Sequence, residues 1–389
     1  MKFTITHYDP DVSARTGILE TDHGSIETPV FMPVGTQGTV KTLTSDELEE
    51  TGTSVILNNT YHLYLRPGAD LIRKAGGTHK FSGWRRPVLT DSGGYQVFSL
   101  ADLNTISDEG VAFQSHIDGT THFFTPETII DIQKKIGADI IMPLDYPAGY
   151  PVDKYNAQTA NRITLDWLKR SRESFESGPF YHDYGQYLFG IIQGSVFPDL
   201  REYAVEETVK MDFPGYAIGG LSVGETKEEL FAITEVCTRM LPADKPRYLM
   251  GVGKPEDLIK CIESGIDMFD CVLPTRVGRN GWLYTPEGRI IIKNTEHRES
   301  FAPVDESCPC YTCRNFTKSY LRHLFLAGEM LGPRLATIHN VTFYHRIIQN
   351  ARDAIREKRY RSWKKEFFSV YRILNGTINN QFNEEVMEE

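Results

Sequence analysis

The chain has 389 residues, 40% of them hydrophobic and 24% charged, a composition that suits a soluble globular protein able to bury a large core. Its formal net charge of −10 argues against a general nucleic-acid binder, which is basic overall, and leaves room for a local RNA footprint. The N-terminus lacks the apolar segment of a secretion signal and no run elsewhere approaches bilayer length, so a cytoplasmic protein is expected.

In chain order, Met1 to about Lys41 reads as short strands and turns that cap the main fold. Short apolar runs then recur at Ser54–Asn58, Pro87–Thr90, Asp139–Leu144, Tyr187–Ile192, Gly215–Ile218, Arg247–Met250 and Ile266–Phe269. Runs of this length, apolar throughout, read as parallel strands buried on both faces. Helix starts are legible between them. Thr44 with Glu47 and Thr226 with Glu229 form capping boxes, and Pro126 and Pro255 open helices with acidic residues behind them. Strand and helix in alternation mean an α/β fold. With an eighth strand near a terminus or the cysteine region, the pattern suits a (β/α)8 TIM-like barrel, with an N-terminal β cap and, around the clustered thiols of Cys308-Pro-Cys310-Tyr-Thr-Cys313, an inserted or appended zinc-binding subdomain. The segments expected are 1–285 for the cap and most of the barrel, 286–343 for the metal-binding subdomain, and 344–389 for helices that complete the barrel.

The choice of a barrel over an open sheet rests on where the unusual residues fall. Asn59, Asp91, Asp145, Gln193, Gly220, Gly251 and Asp270 all lie at or just after the C-terminal ends of the apolar runs. In a barrel those ends converge on one face, where sites of this fold lie, whereas an open sheet spreads them along an edge. Any one aspartate could be a helix N-cap, but three at strand ends point to chemistry. Two carboxylates flanking a sugar carbon can run a double displacement, one attacking the anomeric carbon and the other handling the leaving group's proton. Tyr95 offers a flat face and Met250 a soft one, while the Gln193 amide and the Gly219-Gly220-Leu221 backbone offer donors and acceptors for the edge of an unstacked base. Core packing is the alternative for Tyr95 and Met250. Gly251-Val-Gly-Lys254-Pro255 lacks the first glycine and the final Ser or Thr of a phosphate loop, so an NTPase is rejected, although Lys254 can still meet a backbone phosphate.

Three of the six cysteines are packed as Cys308-Pro-Cys310-Tyr-Thr-Cys313, with His339 following. Three thiolates and one imidazole suit a closed, tetrahedral structural zinc site. A disulfide with a spare thiol is the weaker reading, since Cys-x-Cys is too short for an unstrained bridge. Spacing alone leaves His323 and His345 as rivals for the fourth position. Cys237, Cys261 and Cys271 sit in apolar patterns and read as reduced core residues. Arg276 to Lys293 is a locally basic stretch, as is the C-terminal run from Arg346 to Lys365. Such runs are usually solvated helix faces.

Taken together, Asp91-Ser-Gly-Gly-Tyr-Gln96, Gly190-Ile-Ile-Gln-Gly-Ser195, Gly219-Gly-Leu-Ser-Val-Gly-Glu225, Tyr248-Leu-Met-Gly-Val-Gly-Lys-Pro255, Phe269-Asp-Cys-Val-Leu-Pro-Thr-Arg276, Gly278-Arg-Asn-Gly281 and the cysteine knuckle resemble the bacterial tRNA-guanine transglycosylases over nearly the whole chain. The resemblance implies an enzyme that exchanges the wobble guanine of GUN-anticodon tRNAs for a 7-deazaguanine, on the route to queuosine. By motif, Asp270 would be the nucleophile and Asp91 the general acid/base. Asp145, Gln193, Gly220 and Leu221 would read the base, with Ser92 and Asn59 beside them and Tyr95 and Met250 sandwiching it. Lys254, Arg276 and Arg279 would hold the anticodon loop, and Cys308, Cys310, Cys313 and His339 would bind one structural zinc per subunit. The family's homodimer contacts map to Phe316, Tyr320, His323 and Lys41. Bacterial members usually follow the base-reading aspartate with Glu-Cys, where this chain has Tyr146-Pro147, while Val223 matches enzymes that take 7-aminomethyl-7-deazaguanine. That base is expected, with queuine the alternative. A zinc-dependent hydrolase would need an open coordination position that three thiolates and an imidazole do not leave. A non-catalytic accessory subunit would have lost Asp91 or Asp270.

Overall fold

The computed structural model of the chain describes residues 1–100 and 104–372. These divide into two compact units, one built from Met1–Leu57 with residues 246–372, the other from Asn58–Lys245.

The first unit opens with the expected cap, an antiparallel sheet of Lys2–Tyr8, Arg15–Thr21 and Gly24–Thr28. The next strand, Val30–Gly35, is buried throughout and pairs in parallel with Met268–Cys271, which in turn pairs in parallel with Arg247–Leu249. The earliest parallel strand of the chain therefore lies beside the latest. That juxtaposition closes a barrel, and the (β/α)8 architecture expected from the sequence holds. One detail differs: the cap ends at Thr28, and Val30–Gly35 is the missing eighth strand. Pro33 hides it, because a proline inside an apolar run reads as an edge or as no strand at all. Here Pro33 sits opposite Cys271 at the end of the paired register, where the ladder stops. A buried ion pair fastens the cap to the last strand, with Arg15 Nε 3.0 Å from Asp267 Oδ1 and Arg15 Nη2 2.6 Å from Asp267 Oδ2. The same unit continues through the hairpin Trp282–Thr285 with Gly288–Ile291 and the helices Tyr311–Asn315, Lys318–Ala327, Leu331–Arg356 and Tyr360–Val370. The boundary expected at residue 343 falls inside the helix Leu331–Arg356, and the last part of the 344–389 segment lies outside the described residues.

The second unit alternates strand and helix. Val88–Thr90 pairs in parallel with Ile140–Ile141, which pairs with Tyr187–Leu188, and Gly190–Ile192 continues that strand and pairs with Tyr216–Ile218. The helices Pro126–Ile136, Lys154–Ser177, Pro198–Val209 and Lys227–Met240 follow these strands or precede the next. Their starts are chemically marked as expected: Thr226 accepts from the Glu229 amide while Glu229 reaches back to the Thr226 amide, and Thr44 with Glu47 does the same in the first unit. A small antiparallel sheet, Asn104–Ile106 with Val111–Gln114 and Thr121–Phe124, was not legible in the sequence. Its inward residues Val111, Phe113 and Phe124 join Ile129 and Trp167 in one buried cluster. Among the described residues, no helix is long and apolar enough to cross a membrane.

Candidate active site

In the second unit, the strand-end residues build a hydrogen-bonded cluster in layers. Val88–Thr90 delivers Asp91 and Ser92, Ile140–Ile141 leads into Asp145, and Gly190–Ile192 delivers Gln193. Asp145 is 6% exposed, and both its oxygens are engaged by neutral donors: the Ser92 hydroxyl donates to Oδ1 at 3.1 Å and the Gln193 Nε2 to Oδ2 at 2.7 Å. Burial pushes this carboxyl up to about 6, against the pull of those hydrogen bonds. With its nitrogen committed to Asp145, Gln193 turns its Oε1 toward Gly220, and among the described residues that buried oxygen has no hydrogen-bond partner. Buried acceptors are costly to leave unpaired, and this one is able to accept an N–H from a ligand. Two glycines are required beside it, since a Cβ on Gly219 would meet Gln193 Nε2 at 2.6 Å, and Gly220 also has φ +66°. Leu221 is buried next to them.

Asp91 is held from three sides. The amides of Thr60 and Gly93 donate to Oδ1 at 3.1 Å each, and Asn59 Nδ2 donates to Oδ2 at 2.6 Å. Asn59 in turn caps the helix Thr60–Leu65 by accepting from the His62 amide at 3.0 Å, which fixes its orientation. Gly93 adopts φ +75° directly over Tyr61, where a Cβ would lie 2.8 Å from the Tyr61 backbone nitrogen. Tyr95 stands on the next helix, 41% exposed.

The first unit carries Asp270 at the end of its last parallel strand. The Tyr248 hydroxyl and the Gly251 amide both donate to Asp270 Oδ1, at 2.6 Å and 2.9 Å. Burial raises this carboxyl above the ordinary range while those two bonds pull it back. Cys271 is half-buried against Gly253, and burial pushes its thiol up to about 12, which agrees with a packing role. Met250 is half-buried and Lys254 exposed, while Arg276 and Arg279 are half-buried on the helix Leu273–Arg279.

Cys308, Cys310, Cys313 and His339 are all buried, and their ligand atoms lie within 4.8 Å of one another, a group that could hold a metal ion. The structure selects the histidine that spacing left open. His339 Nδ1 faces Cys313 Sγ at 3.2 Å, and its Nε2 lies 2.6 Å from the Tyr284 carbonyl oxygen, which makes Nε2 the donor and leaves Nδ1 free to ligate. His345 instead pairs with the Thr53 hydroxyl at 2.8 Å, and His323 is exposed.

A parallel barrel with buried carboxylates at the C-terminal ends of its strands is the frame of an enzyme. A family model described as queuine tRNA-ribosyltransferase matches residues 10–373. Proteins of that name from Dictyoglomus turgidum and a Thermoanaerobacter species are 54% and 52% identical to this chain over 371 residues, covering 95% of it and 95% and 98% of themselves. One from Aquifex aeolicus is 54% identical over 92% of this chain and 96% of its own length. The chain belongs to the queuine tRNA-ribosyltransferase family, and it is a transferase.

Two structurally important residues received no role from the sequence: Tyr248, whose hydroxyl donates to Asp270, and Arg201, whose guanidinium donates to the backbone carbonyls of Ser195, Ile192 and Gly219.

Proposed function

We propose that the protein exchanges the wobble guanine of GUN-anticodon tRNAs for 7-aminomethyl-7-deazaguanine, in queuosine synthesis, by double displacement through a covalent link between Asp270 and the ribose. The observation that carries this reading is the pair of adjacent buried acceptors, the Asp145 carboxylate and the unpartnered Gln193 Oε1. A guanine-type edge offers the matching donors, N1–H and the 2-amino group; adenine and cytosine lack that pair. Tyr95 and Met250 would supply its faces, and Gly220 and Leu221 the rest of the edge.

In the first displacement Asp270 attacks C1′ through Oδ2, since both hydrogen bonds fall on Oδ1. The C1′–N9 bond breaks as Asp91 gives the departing guanine a proton. In the second, Asp91 takes the proton from N9 of the incoming base, and that nitrogen displaces Asp270 from C1′. Lys254, Arg276 and Arg279 meet the phosphates of the anticodon loop. The base choice follows Val223, whose amide and that of Ser222 are pinned by the Glu225 carboxylate. Pro147, half-buried where relatives of the bacterial type carry cysteine, favours queuine as the second reading.

The four buried ligands fit zinc, three thiolates and one imidazole leaving no open position, so the metal would be structural. It would fasten the short helix Tyr311–Asn315, capped by Cys310, to the long helix Leu331–Arg356. The aromatic ladder beyond it, with Phe316 and Tyr320 stacked at 5.4 Å and Tyr320 and His323 at 6.4 Å, is the proposed homodimer face together with Lys41. The protein would work in the cytoplasm, with its tRNA.

The test is a protein–RNA adduct on a denaturing gel after mixing the protein with a wobble-guanine tRNA. Asp270→Asn is expected to abolish the adduct, and an adduct that survives the substitution would overturn the nucleophile. Competition between 7-aminomethyl-7-deazaguanine and queuine in the same assay decides the base. Cys310→Ser is expected to release the metal and lower thermal stability and dimer content, read by metal analysis, melting and sedimentation. Full metal loss with an unchanged melt would remove the structural role.

A further inference from the structure

Arg201 is wholly buried in the first turn of the helix Pro198–Val209, and its guanidinium donates to carbonyl oxygens and, among the described residues, to no carboxylate. Its Nε reaches Ser195 O at 2.8 Å, its Nη1 reaches Ile192 O and Gly219 O at 2.9 Å each, and its Nη2 reaches Gly220 O at 3.5 Å. Glu225 acts on this cation only through space, and a buried cation with no carboxylate in hydrogen-bond contact is costly unless several aligned dipoles surround it. Here the dipoles come from two separate turns, the one that carries Gln193 and the one that carries Gly219-Gly220.

A guanidinium is planar, with donors in a fixed fork. Acceptors drawn from two turns onto one such fork cannot rotate independently. Turning the Gly219 or Gly220 carbonyl away would break a bond to Arg201 and move the backbone against which the Gln193 amide lies. The Gln193 amide has a second restraint, the bond from its Nε2 to Asp145. Asp145 decides which end of the amide faces which way, and Arg201 decides where the amide plane stands.

We propose that Arg201 is a positioning residue for base selection: by holding the carbonyls of the Gln193 and Gly220 turns on one rigid fork, it aims the unpartnered Gln193 Oε1 at the base and so sets the preference for an edge bearing a 2-amino group. The inference rests on the base-exchange reading of this site. It concerns a residue that touches neither the base nor the ribose.

The test compares wild type with Arg201→Lys, which keeps the charge and loses the fork, and with Arg201→Met. Base exchange is measured with guanine and with hypoxanthine, which lacks the 2-amino group, and the KM for tRNA is measured alongside. In Arg201→Lys the KM for guanine is expected to rise about tenfold and the preference over hypoxanthine to shrink by a similar factor, with the KM for tRNA within about twofold of wild type. A role confined to stability would lower the melting temperature and the active fraction and leave the KM and the preference of the surviving enzyme unchanged. That result overturns the inference. So does failure of both variants to fold, which would place Arg201 in the frame of the barrel. A wild-type protein that exchanges no base at all would instead overturn the proposed function.

Discussion

Asp145 and Asp270 are the same residue type at the same kind of place, at or after the C-terminal end of a parallel strand, one in each unit, and their surroundings differ in a way that suits the different work proposed for them. Both are raised by burial, and among the described residues neither has an ion-pair partner. Asp145 has a donor on each oxygen, whereas Asp270 takes both of its donors on Oδ1. A carboxylate engaged at both ends is oriented for recognition. One engaged on a single oxygen keeps the other for a bond to carbon, with its charge steadied by the donors on the first. The difference therefore lies in how donors are distributed between the two oxygens, and hardly in how buried the group is.

The sharpest way to break that comparison is to exchange the carboxylates for amides. Asp270→Asn is expected to lower turnover by at least about a thousandfold, because an amide oxygen is a poor nucleophile, while base binding in equilibrium dialysis stays near wild type. Asp145→Asn is expected to do the reverse in kind. It should raise the KM for the base by about a hundredfold, the scale of one charge-assisted hydrogen bond lost in a buried site, and leave a slow but measurable adduct on Asp270. Adducts lost equally in both variants would mean that the two carboxylates act as one device.

A smaller effect on the same pair appears in stability. Asp145 is raised from the ordinary carboxylate range to about 6, so the folded state holds the proton more tightly than the unfolded chain does. Its contribution to stability is complete below the unfolded value near 4 and is lost as pH rises through about 6. That loss amounts to about 3 kcal/mol at most, at about 1.4 kcal/mol per pKa unit. Asp145→Asn cannot ionise, so in urea unfolding its stability relative to wild type is expected to climb between about pH 4 and pH 7 and then level off. Parallel curves would show that the ionised group is better compensated than its two neutral donors suggest.

Much of this arrangement was legible because strand ends announce themselves. Asp91, Asp145 and Asp270 each follow an apolar run, and a run buried on both faces has few ways to end other than in a polar turn. The residues that position them were not legible, because their partners are distant in sequence or belong to the backbone. Arg201 is bound to carbonyl oxygens, which any sequence provides, so nothing marks it off from a surface arginine. Val30–Gly35 lies inside the segment expected to cap the barrel, and only its register with Met268–Cys271 shows it to be a barrel strand, with Pro33 at the last pair. The sheet Asn104–Phe124 was missed since its strands are short and only partly alternating, and their burial depends on Trp167, far along the chain. The fourth member of the group that could hold a metal needed the third dimension as well. His339 and His345 lie on the same helix, and what separates them is that one faces the sulfurs and the other faces Thr53.

The mildest test removes one atom from the Asp270 side of the comparison. Tyr248→Phe deletes the hydroxyl that donates to Asp270 Oδ1 at 2.6 Å and leaves the Gly251 amide in place. The ring itself is wholly buried, so its packing survives the substitution. A hydrogen bond to a charged group contributes about 1.5–3 kcal/mol, part of which the remaining amide takes up as the charge shifts toward it. As the proposed nucleophile, Asp270 should become more basic and less well aimed, so kcat is expected to fall about tenfold with the KM for the base unchanged. The acidic limb of the kcat profile should move to higher pH, because the lost donor favoured the ionised form. If Tyr248→Phe raised the KM for the base and spared kcat, the Asp270 centre would be a recognition site like that of Asp145, and the contrast drawn from the two oxygens would fail.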